Sequence, residues 1–320
     1  MNTMINNSME NLEIDYQEIA IDPGFGDCKW MTKDKTGKFS TSIRRSEKSF
    51  KFDVENRDIA LNRNEYLFNG GTWYVGNGIA EMGALATRDY SFIEKFAPLI
   101  AYKAIVDAGL DVTKPVKIKT CLSIMNYDNR QAFAKSMSLI NVNNQVIKCK
   151  VDVIAQGFAS LIDYVAANDD NTAGTFFTVT NIGFNTIDFC AFSDGQVVYS
   201  TANPCGVNEM VKALRLNIEH RFKRYFNEQE VKQIFLDKYI VISGQEVDLT
   251  NEIQEIKVNY FETFFYSLPD IADYMRKSTK NIFAGGGAYY LQDADLDPSM
   301  VFVESPYEFS DVRGVYYYGD

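Results

Sequence analysis

Asp22, Gly24, Gly26 and Lys29 are the first residues whose types and spacing could do chemistry. The apolar run Ile19, Ala20, Ile21 leads into Asp22, and the two glycines stand between it and Lys29. Small residues after a strand let backbone N–H groups approach an anion. An aspartate at the strand end can face a divalent cation, and the lysine can face phosphate oxygens. Taken alone, Asp22-Pro23-Gly24 is also an ordinary turn signal, and the stretch then reads as a hairpin corner. A second group repeats the logic: the β-branched and aromatic run 175–180 passes into Asn181, Gly183, Phe184, Asn185, Thr186 and Asp188. A third follows the apolar run 281–284 as Gly285, Gly286 and Gly287. Two strand–turn–strand units facing each other across a cleft can clamp a triphosphate, with a metal near Asp22 and the second turn. The glycine triplet would let a backbone lie flat against a nucleoside.

The elements that must position these groups follow from periodicity and punctuation. Strands are expected at 19–21 and 28–31. A small β-rich lobe is expected over about 40–90, where Asn69-Gly70 signals a hairpin between strands 65–68 and 72–75. Helical spacing returns over 92–108, with Gly109 as its C-terminal cap and Pro98 near its true start. A strand at 115–124, a polar helix at 128–139, a strand pair over 141–153 and a helix at 158–167 complete the first half. The turn-rich segment Asn168 to Gly174 marks the expected domain boundary. Beyond it come strands 175–180, 189–192 and 197–201. Met210, Val211, Leu214, Ile218 and Phe222 give an amphipathic helix over 208–226. A short helix at 228–236 follows, then one or two helices over 245–274 broken near Pro269. Strand 281–284, a helix after the glycines, strand 300–303 and a helical or turn segment 307–318 end the chain.

Composition bounds the function. A chain of 320 residues, 46% of them hydrophobic, can bury one large or two medium cores. Forty-three acidic against thirty-two basic residues give a net charge of -11, which argues against broad non-specific nucleic-acid binding. Five scattered cysteines without a Cys-x-x-Cys pair suit a reducing cytoplasm. Residues 1–11 lack the pattern of a signal peptide and read as an unstructured tail, and no run reaches the ~20 apolar residues that span a bilayer. His220 is the lone histidine and lies in the charged run 219–224, so zinc or Ser-His-Asp chemistry is disfavoured and a solvated helix face preferred. Arg215, Arg221, Lys223 and Arg224, and likewise Arg44, Arg45, Lys48 and Lys51, read as solvated faces before subunit or adaptor contacts. Asp188 reads equally as a base or as a structural member of its turn.

Together these motifs resemble the actin-like ATPase superfamily, most closely the plasmid-segregation actins (the ParM/StbA group). The first loop of that family, Asp-x-Gly-x-x-x-x-Lys, is matched by Asp22, Gly24 and Lys29. Its water-positioning Gln or Glu is matched by Gln156, and its adenosine turn by Gly285 to Gly287. The closing segment Phe309 to Gly319 is also similar, so the resemblance spans residues 18–319. It implies an α/β, actin-like (ribonuclease H-like) two-domain fold with a nucleotide cleft between the domains. Domain I would cover 18–168, including the small lobe, after a tail at 1–17. Domain II would cover 169–320, with its C-terminal segment packing back on domain I.

The function so implied is a nucleotide-dependent protein that polymerises head-to-tail with bound ATP or GTP and Mg2+. It would be a cytoplasmic ATPase that moves plasmid DNA through a DNA-binding adaptor, with no membrane partner. Lys29 would neutralise phosphate charge and Gln156 would place the attacking water. Backbone amides at Gly24, Gly26 and Gly183 would bind phosphates, within a nucleotide site that also includes Phe25, Phe184, Asn185 and Thr186. The family's second loop, Asp-x-Gly-x-x-Thr-x-Asp, reads here with Asn181 at its first position. Asp22 and Asn181 would hold the metal through water. An amide keeps an acceptor but loses the charge, so slowed hydrolysis is expected. The alternatives are a non-hydrolysing nucleotide-binding structural homologue and a small-molecule kinase or phosphatase of the same superfamily. A heat-shock-type chaperone would need a further substrate domain, and a cell-shape actin a membrane-binding segment.

Overall fold

The computed structural model describes residues 15–46, 64–79, 89–170, 172–267, 269–291 and 298–319. Residues 1–14, Lys48, Lys51 and 80–88 of the expected lobe lie outside these. Strand β1 (Gln17–Pro23) begins inside the expected tail. Gln17 pairs with Val116, and its side-chain amide makes two 2.8 Å bonds with the backbone of Asp111, which fixes the chain there.

A meander of β1, β2 (Asp27–Met31) and β3 (Thr36–Ser40) opens the first sheet. The small lobe is a separate three-stranded sheet of β4 (Ile43–Arg45), β5 (Glu65–Phe68) and β6 (Gly71–Val75), with β6 central. Strands β7 (Val116–Leu122), β8 (Leu139–Val142) and β9 (Gln145–Ala155) return to the first sheet, whose order is β3-β2-β1-β7-β9-β8. β1, β7 and β9 run parallel. Ile19, Ala20, Ile21 and Asp22 are all buried, as expected of a central strand covered on both faces.

Helix α1 (Tyr90–Ala108) packs on this sheet, and α2 (Arg130–Met137) and α3 (Gln156–Asn168) follow. Pro98 lies inside α1, not at its start. The Asp89 side chain accepts from Phe92 N–H at 3.0 Å and sets the first turn nine residues earlier. An interior proline costs about 3 kcal/mol, and buried Phe92, Phe96, Leu99 and Ile100 offset it.

The second sheet repeats the first. Strands β10 (Phe176–Ile182), β11 (Ile187–Ser193) and β12 (Gln196–Asn203) form its meander. Helices α4 (Asn208–Phe222) and α5 (Glu228–Asp237) follow. α4 ends at Phe222 instead of 226, because Lys223 is left-handed at φ 53° and its N–H closes on Glu219 O. Strands β13 (Tyr239–Ile242) and β14 (Gln245–Asp248) make a hairpin where a helix was expected from residue 245. Ser243 and Gly244 both have positive φ, 50° and 79°, the conformation that a two-residue hairpin turn requires. Helices α6 (Thr250–Ser267) and α7 (Pro269–Lys277) lead to β15 (Lys280–Ala284), β16 (Met300–Phe302) and α8 (Ser310–Tyr317).

The second sheet's order, β12-β11-β10-β15-β16, matches β3-β2-β1-β7-β9 in both direction and sequence. The halves exchange helices. Leu161 and Tyr164 of α3 join the core of the second sheet, while Val312 and Val315 of α8 pack with Ala20, Cys121 and Ile154 of the first. α3 and α8 touch backbone to backbone, since a Cβ on Gly314 would collide with the Ala159 carbonyl.

Candidate functional site

The strand ends β1, β10 and β15 deliver their glycine turns to one cavity of about 220 Å³ between the two sheets. Asp22, Gly24, Phe25, Gly26 and Lys29 line one wall, Gln156 its floor, and Asn181, Gly183, Phe184, Asn185 and Thr186 the facing wall. Gly285, Gly286 and Gly287 close one side. Every residue that the sequence singled out as a site residue therefore meets at this cleft. Asp188 does not line it.

The two walls are built alike. Asp22 lies opposite Lys29 in the β1–β2 register, and Asn181 lies opposite Asp188 in the β10–β11 register. Lys29 Nζ stands 3.2 Å from Asp22 Oδ2. Burial works to lower the Lys29 pKa, but the Asp22 and Asp27 charges and the Asp22 hydrogen bond outweigh it and hold the ammonium above its ordinary value. Gln156 Nε2 donates to Asp22 Oδ1 at 3.2 Å, which orients the amide oxygen of Gln156 away from Asp22.

Asn181 does not mirror Asp22 in its contacts. Its Nδ2 donates to Ser160 Oγ at 2.9 Å and to Asp311 Oδ2 at 2.6 Å. Asp311, near the start of α8, also accepts from Ser160 Oγ at 2.8 Å and lines the cavity. Burial pushes its carboxyl well up, and the neighbouring Asp22 charge adds to that. Asp188, opposite, is a tie between the halves: it accepts from Ser123 Oγ at 2.7 Å, Ile124 N–H at 2.6 Å and Thr186 Oγ1 at 3.2 Å. Burial pushes it up to about 6, against the pull of those donors.

The glycines matter at two places. Gly285 has φ 80°, and a Cβ there would stand 2.6 Å from both Asn181 Oδ1 and Ile182 O. A Cβ on Gly24 would meet Asp27 O at 2.7 Å and Lys29 Nζ at 3.1 Å, filling the space beside the ammonium. One expected donor is engaged elsewhere: Gly183 N–H closes its own turn on Thr186 O at 2.8 Å, so it does not face the cavity as a phosphate donor.

The far end of the cavity is apolar and aromatic, lined by Val207, Val211, Leu236 and Tyr290. Lys232 Nζ sits 3.9 Å from the Phe184 ring centroid and 2.9 Å from Glu228 Oε1. Sequence reasoning missed Asp27, Lys232, Tyr290, Glu308 and Asp311, all of which line the cleft. Lys232 and Tyr290 carried no motif, but Asp311 stood within the closing segment that resembled plasmid-segregation actins. Arg221 and Arg224, expected on a solvated face, make exposed ion pairs with Glu252 and Glu230.

The residues fit a nucleotide with a hydrated metal. One end offers a half-buried ammonium, carboxylates and glycine backbone that a side chain would fill; the other offers an apolar wall. Among the described residues no three metal-ligating side chains cluster. Nor is any helix among them long and apolar enough to cross a membrane.

Comparison with known proteins agrees on the fold. Residues 179–295 match the family model of the archaeal actin homologue MreB-like C-terminal region. The structure superposes on Ta0583, an archaeal actin homologue, with TM-score 0.74 and 14% identity, covering 93% of this chain and 97% of that one. A ParM from a 15-stranded filament of Clostridium botulinum gives TM-score 0.73 at 17% identity over 94% and 98%. Ta0583 in complex with ADP gives 0.71 at 15% over 93% and 97%. No curated protein matches the sequence. In strand order, in the cleft between its sheets and in its structural neighbours, the chain has the actin-like fold.

Proposed function

We propose that this chain is a nucleotide-driven, filament-forming actin homologue that binds ATP or GTP with Mg2+ in the cleft. The observation that carries the reading is the convergence of three glycine turns on one cavity holding the half-buried Lys29 ammonium. Two structural neighbours support it at each end: one is an ADP complex and the other a filament.

In this reading Lys29 faces the terminal phosphates and Gln156, oriented by Asp22, holds the attacking water. Asp22 accepts from the waters of the ion. The metal, when bound, would neutralise phosphate charge. Phe184, Lys232 and Tyr290 form the nucleoside end. Acceleration would come from positioning and electrostatics, with no covalent step on the protein. Head-to-tail contacts that do not close on themselves would give an open polymer, and a DNA-binding adaptor would couple it to plasmid DNA. The two sheets, spanning 17–155 and 176–302, are read as the cores of two domains about the cleft.

The second reading, a nucleotide-binding homologue that does not hydrolyse, rests on Asn181 in place of an aspartate. One experiment separates them. Light scattering and phosphate release are followed together after adding Mg2+ with ATP or GTP, for the wild-type protein and Lys29→Ala. Nucleotide-dependent scattering with phosphate release, both abolished in Lys29→Ala, is expected. Scattering that ignores nucleotide would sink the filament reading, and growth without phosphate release would select the non-hydrolysing one.

A further inference from the structure

We infer that Asp311 supplies the second carboxylate of the cleft, exchanged between strand and helix with Asn181. The inference rests on the nucleotide reading of this cleft.

The internal repeat carries it. In each half, the strand that bears the glycine turn ends in a polar residue hydrogen-bonded to a residue at the start of a later helix. In the first half the strand gives the carboxylate, Asp22, and helix α3 gives the amide, Gln156, at 3.2 Å. In the second half the strand gives the amide, Asn181, and helix α8 gives the carboxylate, Asp311, at 2.6 Å. Each pair therefore holds one amide and one carboxylate, with the two chemical roles reversed. The loss of charge at position 181 is local to that residue and does not extend to the cleft.

Geometry orients both members. The two donors of Asn181 Nδ2 point to Ser160 and Asp311, which leaves its carbonyl oxygen turned toward the Gly285 turn. Asp311 is held on both oxygens, by Ser160 on one and Asn181 on the other, and is 5% exposed. Each carboxylate oxygen has a further acceptor site beyond the one bond it makes to these partners. Asp22, Asp27 and Asp311 bring three carboxyl groups to the polar end of the cavity against one ammonium, Lys29, and a cation there would favour the ionised form of Asp311 that burial alone opposes. A hydrated divalent cation is the chemistry that this imbalance would take. Asp311 thus serves water molecules of the ion, with Asn181 as its positioning residue.

The test uses Mn2+ as the probe, titrated by electron paramagnetic resonance into the full chain with and without the ATP analogue AMPPNP. Asp311→Asn is nearly isosteric, and its amide can still accept from Asn181 and donate to Ser160, so the melting temperature without ligand is expected to hold. Loss of an outer-shell partner predicts about 10–100-fold weaker Mn2+ affinity in the AMPPNP complex. The double exchange Asn181→Asp with Asp311→Asn restores one carboxylate and one amide to the pair, and is expected to recover most of that loss. Unchanged Mn2+ affinity in Asp311→Asn would overturn the inference, and so would a loss that the double exchange leaves in place. Failure of the wild-type protein to bind AMPPNP at all would overturn the nucleotide reading, and this inference with it.

Discussion

Arg313→Met removes the cation that fastens helix α8 to α3 while keeping most of the volume of the stem. The guanidinium is bidentate on Asp163, with Nε 2.7 Å from Oδ1 and Nη2 2.8 Å from Oδ2. It also donates to the carbonyls of Pro306 at 3.0 Å and Glu304 at 2.6 Å. Those two carbonyl bonds lie toward solvent, where water can replace them at a cost well below about 1 kcal/mol each. The Asp163 side chain is different: it is 2% exposed, and without Arg313 its charge stays buried and unpaired. Breaking one side of such a pair costs about 3–5 kcal/mol, so the carboxylate dominates the loss.

The pH dependence identifies the cause. Burial already pushes the Asp163 carboxyl above its ordinary value, with Arg313 pulling against it; removing Arg313 raises it further. A carboxyl whose folded pKa lies above its unfolded one contributes less stability as pH rises between those two values. The deficit should therefore be largest at neutral pH and shrink toward pH 4. Urea unfolding followed by circular dichroism at several pH values measures both quantities. The double variant Asp163→Asn with Arg313→Met should recover to within about 1–2 kcal/mol of wild type, because no buried charge remains. A deficit below about 1 kcal/mol at neutral pH, or one that does not change with pH, would refute the reasoning.

Two further substitutions probe the cleft walls. Gly285→Ala forces a side chain into a left-handed residue, at about 1–2 kcal/mol, and against Asn181 Oδ1 and Ile182 O at 2.6 Å. Its melting temperature and nucleotide affinity should both fall, whereas Gly286→Ala, whose Cβ would find only Glu308 Cβ at 3.6 Å, should melt close to wild type; equal behaviour of the two would count against the close approach. For Asp188, pushed up to about 6 from 3.8 by burial, the folded state prefers the protonated form. Wild-type stability relative to Asp188→Asn should drop by up to about 3 kcal/mol, from about 1.36 kcal/mol per pKa unit, as pH rises from about 4 to 6, and stay level above. Urea midpoints across pH 4–8 give the curve, and a gap without pH dependence would show that burial of the charge is not what matters at this tie.

Much of the frame is legible in the sequence because it is written in short-range chemistry. Strand ends at Asp22, Asn181 and Ala284 are followed by glycines at fixed spacing, and those turns need particular residues wherever they fall. The helix 208–226 was readable from its apolar stripe, but its end was not, since Lys223 takes a left-handed cap that usually marks glycine or asparagine. The hairpin at 239–248 escaped because its strands are four residues each, too short for alternation to outweigh a helical reading. Pro98 misled because tertiary burial, not local propensity, holds that part of α1. Asp311 was hidden for a different reason: its partner Asn181 is 130 residues away, and nothing local to either position announces the pairing.

The exchange of α3 and α8 between the halves has a consequence for how the chain can be divided. In the sequence the segment 168–174 looks like a seam, with a sheet on either side. A cut there would leave the first sheet without Val312 and Val315, and the second without Leu161 and Tyr164, so each fragment would lose part of its core to a helix carried by the other. Such pieces would be complementary parts and not independent units, with the Asp163–Arg313 pair and the Gly314–Ala159 contact as the places where they rejoin. Two sheets are visible, and the two helices tie them together.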